Sequence, residues 1–222
     1  MVVVDQIVKL IVKMNMAIGQ EFEVLGSIFK IHFIENPGAA FGLTIAHVYE
    51  AFLGIFMDDP YLSDATAKLI LTLFSLFAVG FIIYYLHALR NMKTALPIYV
   101  SLILGGAIGN IIDRVFYGSW FAEMNDYEGG LMYGRVVDMF YLDIWQGYLP
   151  AWVPFLGNEY YSLWPIFNIA DAAISVGIVA IIIFQKKLFM LPEDVQHPEA
   201  SLESQVTPPA TEANPAEESP KS

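Results

Sequence analysis

Aspartate and asparagine carry the candidate chemistry in this sequence. Asn110 and Asp113 close an apolar run in GGAIGNIIDR, and Asn168 and Asp171 repeat their spacing in FNIAD, at the start of the last apolar run. Asp138 follows the apolar pair Val136-Val137 in RVVDMF. Residues three apart on a helix share one face. An unpaired charge inside a bilayer costs at least ~2.5–3.5 kcal/mol at the helix centre, so acids at the ends of membrane-length helices are functional suspects. Two carboxylates brought within a few ångströms cannot both ionise cheaply, and one keeps its proton at neutral pH. Such a pair supplies a base to activate water and an acid to protonate a leaving nitrogen, which is the chemistry of peptide hydrolysis. Spacing does not say which carboxylate is base and which acid.

Composition narrows the class. The chain has 222 residues, is 56% hydrophobic and has a mean hydropathy of +0.53. Soluble domains are nearer ~45–50% apolar, so this is a membrane protein. The net charge of -12 is misleading, because the stretch from Pro192 onward holds seven acids against Lys221 alone. No basic patch supports nucleic-acid binding. The absence of cysteine removes thiol nucleophiles, disulfides and cysteine-based metal sites. There is no HExxH or GxSxG motif, and His32, His47, His87 and His197 are scattered over unrelated segments. Neither a metal nor a cofactor is expected.

The elements that must position the aspartates follow in order. Residues 2–18 read as a short first span in which Asp5 and Lys9, one turn apart, offset each other's charge. About 17 residues reach roughly 26 Å, barely a membrane thickness, and an upstream start is one reading of so short a span. Alternation from Glu21 predicts a short sheet ending in the Asn36-Pro37-Gly38 turn. Residues 44–57 suit an interfacial helix. Spans are predicted at Leu69–Leu89, from Ala95 to about Ile112, and at Leu163–Phe184. Residues 116–164 carry all four tryptophans, as in an interfacial belt. Arg90 and Lys93 share a side with Lys186 and Lys187, which puts that side in the cytoplasm and the aspartates outside; Lys9 and Lys13 count against the rule. The expectation is four transmembrane helices with a small extracytoplasmic β-region and an interfacial helix. Residues 1–190 form one membrane domain and 191–222 a disordered acidic tail.

Each residue also has a plainer role. Asp138 could pair with Arg135, and Asp171 could cap its helix. Asp113 and Arg114 are adjacent and point apart, so each needs its own partner, and a structural role suits them best. Gly105, Gly106 and Gly109 thin their helix so that a neighbour can approach closely, and Gly105 and Gly109 form a GxxxG spacing, a helix-packing device. A transporter or a scaffold competes with the enzyme, but the acids gather at one end of the spans rather than through the bilayer depth.

Taken together, DQIVK at 5–9, NPGAAFG at 36–42, GNIIDR at 109–114, VVDMF at 136–140 and FNIAD at 167–171 resemble, in order, the sequence boxes of lipoprotein signal peptidase, or signal peptidase II. The resemblance runs from Asp5 to about Lys187. It implies a four-helix aspartyl protease of the bacterial inner membrane, blocked by globomycin, that acts without metal on the outer face. Its partners would be membrane lipids and lipid-modified prolipoproteins, cut just before the diacylglyceryl-cysteine, and the enzyme would act as a monomer. On this chain the catalytic aspartates fall on Asp138 and Asp171. Asn36 and Gly38 fall beside the site, Asn110, Asp113, Arg114 and Asn168 frame it, and Asp5 is a supporting residue. Residues 44–62 and 117–134 stand out as insertions beyond the boxes.

Overall fold

The computed structural model describes residues 1–38, 63–148, 150, 152, 160–162 and 164–189. The expected interfacial helix and the acidic tail lie outside them. Contacts divide the chain into a compact unit, Met1–Ile183, which holds every residue of the candidate site, and a second unit, Phe184–Ser222.

Four α-helices of more than three residues are described: α1 (Val2–Asn15), α2 (Asp64–Ala88), α3 (Leu96–Ile112) and α4 (Ile169–Phe189). Among the described residues three stretches are long and apolar enough to cross a membrane: Ala65–Ala88, Leu96–Trp120 and Ile169–Leu188. The predicted first span is α1, only 14 residues long, which buries Asp5, Lys9, Val12 and Lys13 on one side. Helix α2 starts earlier than predicted because the Ser63 side chain accepts the Thr66 amide hydrogen. Beyond α3 the helix continues as a π-helical turn, Asp113–Tyr117. Helix α4 begins at Ile169 rather than 163. Before it, Phe167 is held extended, its carbonyl accepting the Phe140 amide and its amide donating to the Phe140 carbonyl.

A three-stranded antiparallel sheet forms from β1 (Glu21–Leu25), β2 (Phe29–Asn36) and β3 (Val136–Leu142), in that order. A small hairpin, β4 (Gln146–Tyr148) with β5 (Tyr160–Ser162), stands apart. Strand β3 is almost wholly buried, and Val137 and Met139 join Val12, Phe33 and Tyr117 in one apolar cluster. That cluster ties α1, the sheet and the π-helical turn together. In the β2–β3 register Asn36 faces Val136 and Ile34 faces Asp138, so Asn36 and Asp138 are diagonal neighbours on one face.

Helices α3 and α4 approach through Gly106 and Gly109, two of the three glycines expected to thin α3, while Gly105 takes no part in that contact. A Cβ on Gly106 would lie 2.3 Å from the Ala170 carbonyl oxygen, whereas one on Gly105 would meet only the flexible Met1 side chain. Gly106→Val is therefore expected to force the helices apart and cost ~1–3 kcal/mol by overpacking. Gly105→Ala is expected to be near neutral. Thermal unfolding followed by tryptophan fluorescence in detergent checks both.

Candidate active site

The two polar clusters at the ends of α3 and α4 meet. Asn110 Nδ2 donates to Asp171 Oδ1 at 2.7 Å, and Asn168 Nδ2 donates to Asn110 Oδ1 at 3.1 Å. Asn168 also joins the two candidate carboxylates. Its Nδ2 donates to Asp138 Oδ1 at 2.6 Å, and its backbone amide donates to Asp171 Oδ2 at 3.3 Å. In return the Asp171 amide donates to Asn168 Oδ1 at 2.9 Å, the reciprocal pattern of a capped helix start. Asn36 supplies the remaining donor, Nδ2 to Asp138 Oδ2 at 3.1 Å, while its Oδ1 accepts the Gly38 amide at 2.8 Å. Asn36 is thus both the turn residue and a site residue.

Gly38 has φ +106°, a left-handed backbone that suits glycine, and a Cβ there would collide with Leu71. The same missing Cβ leaves room for Arg114, whose Nη1 would lie 3.2 Å from it. Asn36, Gly38, Arg114, Asp138 and Asp171 line one cavity of about 620 Å³, continued along Trp164–Phe167 and the Ala172, Ser175 and Val176 side of α4.

Beneath this layer Lys9 is wholly buried and fully paired. Its Nζ lies 3.0 Å from Asp5, 2.9 Å from Asp113 and 2.9 Å from Asn110 Oδ1. Asp113 Oδ2 accepts the Val137 amide at 3.1 Å, one residue before Asp138. Asp5 Oδ1 accepts the Ala170 amide at 2.9 Å, one residue before Asp171. Gln6 donates to both acids and to the Gly109 carbonyl. Asp5 and Asp113 therefore hold the backbone beside each candidate catalytic residue rather than entering the cavity. Sequence spacing pairs Lys9 with Asp5, but Gln6 and the link from Lys9 to Asn110 arise only when α1 meets α3.

The plainer role for Asp138 does not hold. Arg135 stacks on Tyr127, with its guanidinium 4.3 Å from the ring centroid, and reaches Asp126 at 3.4 Å. Residues three apart in extended chain point to opposite faces, so Arg135 turns away from Asp138. Burial first, then the charge of Asp171, push the Asp138 carboxyl up to about 7, against the hydrogen bonds from Asn36 and Asn168. Among the described residues no cluster of His, Cys, Asp and Glu could hold a metal ion.

A family described as "Signal peptidase (SPase) II" matches residues 1–187. This chain belongs to the signal peptidase II family. Among its relatives, a lipoprotein signal peptidase of Porphyromonas gingivalis is 39% identical over 197 residues, covering 82% of this chain and 78% of that one. One of Amoebophilus asiaticus is 36% identical over 217 residues, covering 90% and 79%. A solved bacterial membrane enzyme is 27% identical over 82% of this chain and 84% of its own, with a TM-score of 0.47. Family membership makes the chain a peptidase, and its apolar helices make it a membrane protein.

In this chain, Lys9→Met would leave Asp5 and Asp113 buried without their cation, a change expected to cost ~3–5 kcal/mol. Lys30→Met, which removes a surface partner of Glu21 and Asp143, is expected to shift the melting temperature far less. Parallel fluorescence melts of the two variants check the contrast.

Proposed function

We propose that this protein is an aspartyl endopeptidase that removes the signal peptide from diacylglyceryl-modified prolipoproteins, cutting before the lipidated cysteine. The carrying observation is Asn168, which hydrogen-bonds both Asp138 and Asp171 at the wall of one cavity. In this reading the pair holds a single proton. Asp138, the carboxyl raised by burial and by its neighbour, keeps it, and Asp171 draws a proton from the attacking water. Asp138 then passes its proton to the leaving cysteine nitrogen, and the peptide C–N bond breaks. Asn36, Asn110 and Asn168 hold the carboxylates in place, and Arg114 offers its charge to the substrate backbone.

The membrane arrangement belongs to the same proposal. Helix α1 counts as a fourth, shorter span, since Asp5 and Lys9 neutralise each other. Lys9 and Lys13 are buried, Lys13 against Glu35 and Asn125, so neither counts as a cytoplasmic surface charge. Arg90, Lys93, Lys186 and Lys187 then mark the cytoplasmic side, and the cavity opens on the outer face of the inner membrane. The protein works as a monomer, with its substrates arriving from the bilayer.

Asp138→Asn and Asp171→Asn are each expected to lower cleavage of a lipidated precursor by ~100-fold or more while leaving the melting temperature near its original value. Normal processing by either variant would end the proposal. The rate is also expected to depend on pH in a stated direction. Below about 7 Asp138 holds the shared proton, and as pH rises through about 7 that proton and the activity are lost. A pH profile of kcat on a lipidated peptide checks it.

A further inference from the structure

Hydroxyl groups within apolar helices ordinarily bond back to their own helix, because an unsatisfied hydroxyl in apolar surroundings costs ~1–3 kcal/mol. Thr72, Ser75 and Ser101 do so here, donating to the carbonyls of Lys68, Leu71 and Pro97 at 2.7–2.9 Å. Ser175 does not. It is an exposed residue whose hydroxyl makes no hydrogen bond to the described residues, and it opens onto the cavity that holds Asp138 and Asp171.

Position makes this unpaired donor informative. Ser175 follows Asp171 by four residues on α4, so it shares that helix face, one turn (~6 Å) further into the apolar span. Ala172 and Val176, its neighbours on the cavity wall, offer no polar atom from their side chains. A substrate whose scissile bond lies at the aspartates thus presents to Ser175 whatever lies about one helical turn deeper. For a peptide cut before a diacylglyceryl-cysteine, that depth matches the junction where the thioether-linked glycerol gives way to the acyl chains. Polar acceptors there are ester carbonyl oxygens, which take a hydrogen bond and have none to give.

We propose that the Ser175 hydroxyl donates a hydrogen bond to an ester carbonyl of the substrate's diacylglyceryl group, making it a specificity residue for ester-linked lipid. The proposal rests on the functional reading above. It separates recognition of the ester from the burial of acyl chains, which apolar residues alone provide.

The test uses the full chain in detergent with two synthetic precursor peptides, one carrying S-diacylglyceryl-cysteine and the other its dialkyl ether counterpart, in which the carbonyls are absent. For the unaltered protein, KM for the ether peptide is expected to exceed that for the ester peptide by ~5–10-fold, the worth of one net hydrogen bond. Ser175→Ala is expected to raise KM for the ester peptide by that factor, leaving KM for the ether peptide and kcat for both unchanged. Ser175→Thr, which keeps the hydroxyl, is expected to retain the ester preference. Equal KM values for both peptides in the unaltered protein, or an equal shift for both in Ser175→Ala, would overturn the assignment. Cleavage of an unlipidated peptide as fast as the lipidated one would instead overturn the functional reading itself, and it is measured on the unaltered protein alone.

Discussion

Lys9 is the interaction on which the site depends. A fully buried ammonium is tolerable only when its partners replace the water it has lost, and removing one partner leaves an uncompensated charge. Here the partners are two carboxylates and an amide oxygen, on α1 and at the end of α3. Asp5 turns its other oxygen to the Ala170 amide in the first turn of α4, and Asp113 accepts the Val137 amide of β3 on the same Oδ2 that meets Lys9. One cation thus fixes four chain segments against each other, and the residues it fixes directly precede Asp138 and Asp171. The cost of burying charge is converted into the registration of a two-carboxylate site.

The amides complete that registration by having their orientation chosen for them. Asn110 Oδ1 receives hydrogen bonds from Lys9 and Asn168, so its NH2 group is left for Asp171. Asn168 Oδ1 receives the Asp171 amide, so its NH2 group turns to Asp138. Each asparagine can both give and accept, and a neighbour with only one option decides which end does what. Carboxylates held this way approach each other despite their repulsion, and that repulsion, added to burial, raises Asp138.

A second buried cation repeats the logic at the edge of the site. Lys13 meets Glu35 and Asn125 and lies 5.1 Å from the centre of the Phe121 ring. Asn125 in turn donates to the Tyr117 carbonyl. Part of the segment that stands outside the family boxes, residues 117–134, is therefore tied to α1 and β2 by polar contacts, and Gly134 donates its amide to the Arg114 carbonyl. That segment supports the wall from which Arg114 projects.

The sequence alone determined the membrane class, the short sheet before the Asn36 turn, and the residue types of the site. Those features are local: apolar runs of spanning length, alternation at period two, and Asn and Asp at helical spacing. It also determined the pairing of Asp5 with Lys9, since both lie on one helix. Only the tertiary structure decided that Asp113 serves Lys9 and Val137, that Arg135 turns away from Asp138, and that Gly106 rather than Gly105 is the closest helix contact. Each of these depends on which segment packs opposite, and a charge or a glycine carries no mark in sequence of the partner it will meet. The meeting of Asp138 with Asp171 is of the same kind, because one sits in a strand and the other on a helix, and only packing brings them to a common wall.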